Sequence, residues 1–91
     1  MSQKLTPARV PTPGKILYRE LEARGWTQKD LAEIMGCSVD TINKIIRGSK
    51  EITLETAIEL SQALGTSPEF WTNLEAKYRL HVGRTEKRSK I

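Results

Sequence analysis

The stretch that decides the fold is "TQKDLAEIMGCSVDTINKIIRG", which runs from Thr27 to Gly48. Asp30 follows Thr27 at the spacing typical of a capping box, which marks the start of a helix. This helix would end at Gly36, because glycine readily adopts the left-handed conformation found just beyond helix ends. Ser38 would then cap a second helix that ends before Gly48. Two helices separated by so short a connection predict a helix-turn-helix.

The second helix of this stretch carries both core-type and hydrogen-bonding side chains. Ile42 and Ile45 would face the first helix, where the small side chain of Ala32 would allow a close approach. The polar side chains would then point outward, and they are Asp40, Thr41, Asn43 and Lys44. Because recognition helices read the major groove with residues of their N-terminal part, this arrangement predicts a DNA reader. The alternative is a small helical bundle whose polar face is only solvated.

Capping residues and glycines divide the rest of the chain into three further helices. Their start and stop signals are Thr12-Pro13 with Gly25, Thr53 with Gly65, and Ser67-Pro68 for the last helix. No stretch of strand length alternates apolar and polar residues. The sequence therefore predicts an all-α bundle of five helices.

The 91 residues are enough for one small domain, and we expect three regions in it. Residues 1–11 are polar and contain two prolines, so a flexible N-terminal arm is expected. Residues 12–81 would form the DNA-binding domain, with dimerisation through its last helix. Residues 82–91 lack apolar periodicity and are expected to form a basic flexible tail.

Composition argues against several other classes of protein. Cys37 is the only cysteine and His81 the only histidine, so neither an internal disulfide nor a protein-only metal site is expected. No triad, glycine-rich phosphate loop or paired carboxylates indicate catalysis, and no cofactor is predicted. No apolar run has the length of a signal peptide or a membrane span, so a cytoplasmic location is expected.

The pattern Thr-Gln-x-x-Leu-Ala-x-x-x-Gly-x-Ser-x-x-x-Ile within residues 27–48 resembles the Cro/repressor helix-turn-helix class, of the xenobiotic-response-element type. Together with "GSKEIT" and "ALGTSPEFWTNLEAKYRL", it resembles the HigA-type antitoxins over roughly Pro13 to Leu80. The resemblance implies a repressor-like bundle in a dimeric bacterial protein that represses its own operon, on the nucleoid when bound to its operator. It also implies neutralisation of an mRNA-cleaving, RelE-like toxin of the HigB type. A stand-alone transcriptional regulator is the alternative, and the neighbouring gene would distinguish the two.

By this resemblance, five residues match positions that face DNA: Ser38, Val39, Asp40, Thr41 and Lys44. Lys44 would contact guanine O6 or N7, and Thr41 a thymine methyl group or a phosphate. Asn43 would contact adenine or a backbone oxygen. Asp40 would accept from cytosine N4, or would only stabilise the first turn of its helix as a negative charge.

Three more residues are expected at phosphates rather than bases. Gln28 begins the helix before the turn, where an amide can reach a phosphate with help from the helix dipole. Arg47 and Lys50 flank the loop after the second helix. The rival interpretation for Arg47 and Lys50 is plain solvation. A symmetric dimer would present two such surfaces about 34 Å apart, so a palindromic operator is expected.

The last helix and an acidic segment supply the expected protein contacts. Phe70, Trp71, Leu74 and Tyr78 are predicted as the dimer interface, with packing in the core as the alternative. Residues 51–76 hold five glutamates and no lysine or arginine. Glu55 and Glu59, one helical turn apart, would form a ridge suited to a cationic toxin. The competing view places the toxin on the N-terminal arm or the first helix.

Overall fold

The computed structural model describes residues 12–89, with side chains described as far as Gly83. In this part of the chain there are five helices and no strand. They are α1 (Pro13–Arg24), α2 (Gln28–Met35), α3 (Val39–Arg47), α4 (Leu54–Leu64) and α5 (Pro68–Ser89). The predicted all-α, five-helix fold is confirmed. The predicted arm at residues 1–11 lies outside the described residues.

The helix-turn-helix is set by capping interactions at the predicted residues. The hydroxyl of Thr27 accepts the Asp30 N–H at 3.1 Å, and the Asp30 carboxylate accepts the Thr27 N–H at 2.8 Å. Gly36 ends α2 with a φ of 73°, in the left-handed region. Ser38 caps α3 by accepting the Thr41 N–H at 3.1 Å. A capping box, a left-handed glycine and a second cap thus turn the chain within three residues.

All five helices contribute to one apolar core. Its fully buried large side chains are Leu17, Leu31, Ile42, Ile45, Leu60 and Trp71. Ala32, the predicted small contact of α2, is also buried, whereas Met35 and Trp26 are partly buried against the core. Burying a large aliphatic or aromatic side chain contributes about 1.5–3 kcal/mol each, which makes this cluster the main source of stability.

Trp71 requires a correction to the predicted dimer interface. Its side chain is 0% exposed, and its indole N–H donates to the Thr66 hydroxyl at 2.7 Å. A buried tryptophan normally needs such a partner for its N–H. Phe70 packs edge-on against its ring with centroids 5.0 Å apart. Trp71 therefore belongs to the core of the protomer and has no surface to offer a second copy.

Helix α1 packs unusually close to α3, the predicted recognition helix. A Cβ built on Gly14 would lie 2.3 Å from the carbonyl oxygen of Ile46 and 2.5 Å from that of Ile45. The start of α1 can therefore approach the end of α3 only because residue 14 has no side chain. This contact joins the start of α1 to the last turn of α3.

Helix α4 leaves two apolar residues exposed, and helix α5 is longer than predicted. Leu54 and Ile58, which fit the apolar periodicity of α4, are exposed, because the buried face of the helix is formed by residues including Ala57 and Leu60. Helix α5 does not end at residue 82, where the tail was predicted to start, but continues to Ser89. Lysine, arginine and glutamate are good helix formers, so the segment needs no apolar periodicity to extend the helix. The flexibility of the segment 82–91 stays a prediction, and residues 90 and 91 lie outside the described residues.

Candidate nucleic-acid interface

The outward face of α3 holds the predicted recognition residues. Ser38, Val39, Asp40, Lys44 and Arg47 are exposed, and Thr41 and Asn43 are half-buried. Ile42 and Ile45, on the opposite face, are buried. The structure therefore brings the predicted residues of this helix together on one surface.

The first turn of α3 is held in place by its own polar groups. The Ser38 and Thr41 hydroxyls lie 2.9 Å apart and share a hydrogen bond, in addition to the capping bond from the Thr41 N–H. Ser38 is thus occupied by capping, although its side chain remains exposed. Val39, also exposed, is the apolar member of the predicted set and suits contact with a thymine methyl group.

A side-chain bridge joins the two helices of the helix-turn-helix at this surface. The Asn43 amide Nδ2 donates to the Gln28 Oε1 at 3.2 Å. Gln28 is the first residue of α2. This bond uses only the carbonyl oxygen of Gln28, so the NH₂ group of Gln28 remains available as a donor to an acceptor outside the protein. A phosphate oxygen is such an acceptor, so the bridge fixes the predicted phosphate contact beside the predicted base contacts.

Asp40 and Lys44 form an ion pair on the same face. The Lys44 Nζ lies 3.1 Å from the Asp40 Oδ2, one helical turn away. Both side chains are exposed, 50% for Lys44 and 69% for Asp40. An exposed pair of this kind is worth only about 0.3–0.5 kcal/mol, so either partner can exchange it for a better one.

The loop after α3 carries Lys50 and is held by hydrogen bonds at both ends. Next to α3, the Ser49 and Lys50 N–H groups donate to the Lys44 carbonyl at 2.9 and 3.2 Å. At the other end, the Ile52 N–H donates to the Glu75 carboxylate at 3.3 Å. The Lys50 side chain is exposed. Its backbone is therefore fixed while its ammonium group is free to reach a phosphate.

The surface of α5 retains apolar area after the core is formed. Phe70 is 39% exposed, Leu80 is also exposed, and Leu74 and Tyr78 are half-buried. Trp71 lies in the core, but the other three residues of the predicted dimer interface keep exposed surface. Leu80 was not predicted, and since residues two apart on a helix do not face each other, its position after Tyr78 gave no signal for it.

The acidic segment divides into two parts with different roles. Glu55 and Glu59 are both exposed on α4, as the predicted ridge requires. Glu75, in contrast, has a side chain that is 12% exposed and accepts the Arg79 Nε–H at 2.6 Å. The Nη2 atom of Arg79 lies 3.9 Å from the Glu51 carboxylate. Residues 51–76 contain no cation, but Arg79 just beyond them neutralises part of this charge. Among the described residues, Glu55, Glu59 and Glu69 take part in none of these ion pairs, and Glu55 and Glu59 lie one turn apart on α4.

Cys37 lies in the turn between α2 and α3, close to the acidic part of α4. Burial raises the pKa of its thiol, and the negative charge of Glu59 raises the pKa further. The thiol is thus less reactive than an ordinary cysteine, because the thiolate is the nucleophilic form.

Among the described residues there is no group of three or more side chains that could hold a metal ion, and no helix able to span a membrane.

Comparison with known proteins agrees with this geometry. A family model described as "Helix-turn-helix" matches residues 17–71. Antitoxin HigA-1 of Vibrio cholerae is 42% identical over 71 residues, which cover 77% of this chain and 67% of that protein.

Two solved structures are similar along nearly the whole chain. A HigA-family addiction module antidote protein from Coxiella burnetii is 32% identical, with a TM-score of 0.83 and coverage of 91% of each chain. The antitoxin HigA of Pseudomonas aeruginosa, solved with the higBA promoter, is 31% identical, with a TM-score of 0.84 and coverage of 90% of each chain. The chain therefore belongs to the helix-turn-helix family and, within it, to the HigA antitoxins.

Proposed function

We propose that the protein is a sequence-specific DNA-binding repressor and the antitoxin of a toxin–antitoxin pair. The observation that carries the first part is the exposed face of α3, where base-reading side chains stand beside the phosphate donor Gln28, fixed by its bond to Asn43. The Pseudomonas aeruginosa relative was solved with promoter DNA, which supports the same use of the surface here. The proposed role is binding and not catalysis, and its place is the bacterial cytoplasm, on the nucleoid when bound to the operator.

Within this proposal, bases and phosphates are contacted by different residues. Val39, Asp40, Thr41, Asn43 and Lys44 face the edges of the bases in the major groove. The phosphate contacts flank them and comprise Gln28, Ser38, Arg47 and Lys50. This division follows the order expected for a recognition helix, with base contacts at its N-terminal part and backbone contacts on either side.

We further propose that the protein binds its operator as a homodimer. Phe70, Leu74 and Tyr78 offer apolar surface on α5 that the protomer does not cover. Aromatic residues are enriched in protein interfaces, where burial of their surface drives association. Two recognition helices related by a two-fold axis would meet half-sites about 34 Å apart, so the operator would be a palindrome.

DNA selection and footprinting test the proposed DNA binding. Duplexes are selected from a random pool with the purified protein, and the best one is footprinted while the mass of the complex is measured. We expect a palindromic footprint with half-sites about one helical turn apart and two protein copies per duplex. A protein that enriches no sequence would contradict the repressor role, and a single protected half-site bound by one copy would contradict the dimer.

The proposed toxin partner is a basic HigB-type RNase of RelE-like fold, because an enzyme that holds RNA needs a cationic surface. The exposed pair Glu55 and Glu59 on α4 supports this surface as the contact. Complementary charge of this kind raises the association rate more than the affinity. Co-expression with the product of the adjacent gene tests the partnership. A stand-alone regulator would form no complex with that product and would not relieve its toxicity.

A further inference from the structure

The ion pair between Asp40 and Lys44 places a negative charge in the middle of the proposed reading surface. Asp40 is the only acidic residue of α3, and its carboxylate lies 3.1 Å from the Lys44 ammonium group. Arg47, in the last turn, is the other charged residue of the helix. A surface selected only for attraction to DNA would not carry this carboxylate, because DNA presents a row of negative phosphates.

The carboxylate has different consequences on different DNA sequences. On DNA that offers Lys44 only a phosphate, the ammonium group must leave Asp40, and Asp40 is left near negative charge without a partner. A G·C pair offers more, because guanine O6 and N7 accept hydrogen bonds while cytosine N4 donates one. There, Lys44 and Asp40 both exchange their mutual contact for a base.

We propose that Asp40 is a specificity-determining residue, which acts by pairing with Lys44 in the free protein and weakening binding to DNA that lacks a suitably placed G·C pair. The inference rests on the proposed function, since it assumes that α3 reads bases. It goes further by assigning Asp40 a role in excluding non-cognate DNA. Each half-site should accordingly contain a G·C pair at the position that Lys44 reaches.

The simpler alternative is that Asp40 only stabilises its helix. An acidic residue in the first turn interacts favourably with the helix dipole, and Asp40 occupies that turn. This role would affect the melting temperature and would leave the preference for one DNA sequence over another unchanged. The two explanations therefore differ in the ratio of operator affinity to non-specific affinity.

The test measures binding of Asp40→Asn to two duplexes at several salt concentrations. One duplex is selected by the wild-type protein from a random pool, and the other is a scrambled sequence of equal composition. We expect affinity for the scrambled duplex to rise about three- to tenfold, with a salt dependence steeper by about 0.9 per subunit, because Lys44 without its Asp40 partner neutralises a phosphate and displaces a counterion from the DNA. The ratio of the two affinities should fall by about tenfold.

Matched variants separate this effect from a general change in charge or stability. Glu69→Gln also removes an acidic residue from the first turn of a helix, but on α5, and should leave the affinity ratio unchanged. Asp40→Ser should reproduce the result of Asp40→Asn, because both variants remove the carboxylate and both serine and asparagine are tolerated at the start of a helix. In a Lys44→Ala background, Asp40→Asn should lose most of its effect on the ratio, since the two residues act as a unit.

The possible failures are distinguishable. If the wild-type protein enriches no sequence from the pool, the proposed DNA-reading function is wrong. If it prefers the selected duplex but Asp40→Asn keeps the wild-type ratio, only the role of Asp40 is overturned. The same conclusion follows if Glu69→Gln lowers the ratio equally, because the effect would then be one of overall charge.

Discussion

Substitution of Gly14 by alanine should push the last turn of α3 away from the start of α1. The added Cβ would lie 2.3 Å from the Ile46 carbonyl oxygen and 2.5 Å from the Ile45 carbonyl oxygen, well inside the 3.0 Å below which Cβ contacts are essentially absent. Both obstacles are backbone atoms, so α1 and α3 must move apart. Overpacking typically costs about 1–3 kcal/mol, and a backbone clash belongs at the upper end.

Against this cost stands the better helix propensity of alanine, which is worth at most about 1 kcal/mol. We therefore expect Gly14→Ala to lower the free energy of unfolding by about 2 kcal/mol. In a domain of this size the melting temperature should fall by roughly 8–16 °C, as measured by circular dichroism. Operator binding should weaken even at temperatures where the variant is folded, because the displaced α3 carries the proposed base contacts.

Gly83→Ala is the matched control in the same chain. Gly83 also lies within a helix, but a Cβ there would meet nothing within 4 Å. This variant should gain up to about 1 kcal/mol from propensity and melt slightly higher than the wild type. If Gly14→Ala is as stable as Gly83→Ala, the close approach of α1 to α3 is not what requires glycine, and the reasoning fails.

Further substitutions test the other parts of the molecule. Lys44→Ala should cost about 1–3 kcal/mol on the operator and relax the base preference at one position per half-site; equal losses on scrambled DNA would refute base reading. Lys50→Ala should weaken binding to both DNAs alike and reduce the salt slope by about 0.9 per subunit, in titrations at two salt concentrations. Trp71→Ala should destabilise the fold by about 3–5 kcal/mol in denaturant titrations, which a surface residue would not do. Glu55→Lys combined with Glu59→Lys should slow toxin association at low salt without lowering operator affinity, because added positive charge does not repel DNA; an unchanged association rate would favour the N-terminal surface.

The helix boundaries were predictable because local chemistry determines them. Thr27, Asp30, Gly36 and Ser38 act through hydrogen bonds and backbone conformation within three or four residues of themselves. Such short-range signals are fully contained in the sequence. The same is true of the outward face of α3, since helical periodicity alone separates Ile42 from its polar neighbours.

Which apolar residues reach the core was less predictable, because neighbouring helices decide it. Trp71 and Phe70 are adjacent aromatic residues, yet one is buried and the other is exposed. On α4, Leu54 and Ile58 fit the apolar pattern but face away from the core. The charge pattern of residues 51–76 likewise did not predict that Glu75 pairs with Arg79. One of the five glutamates of this segment is therefore held in a contact within the protein.

The contacts of Glu75 also link the loop of the proposed DNA-binding surface to the helix of the proposed dimer interface. One oxygen of the nearly buried Glu75 carboxylate accepts the Ile52 N–H, and the other accepts from Arg79. The hydrogen bond to Glu75 raises the pKa of Arg79. Glu75 lies on α5 between Leu74 and Tyr78, so the helix of the proposed dimer interface holds the loop that carries Lys50. In such a dimer, helix packing and not a flexible connection would set the distance between the two loops that carry Lys50, and with it the half-site spacing.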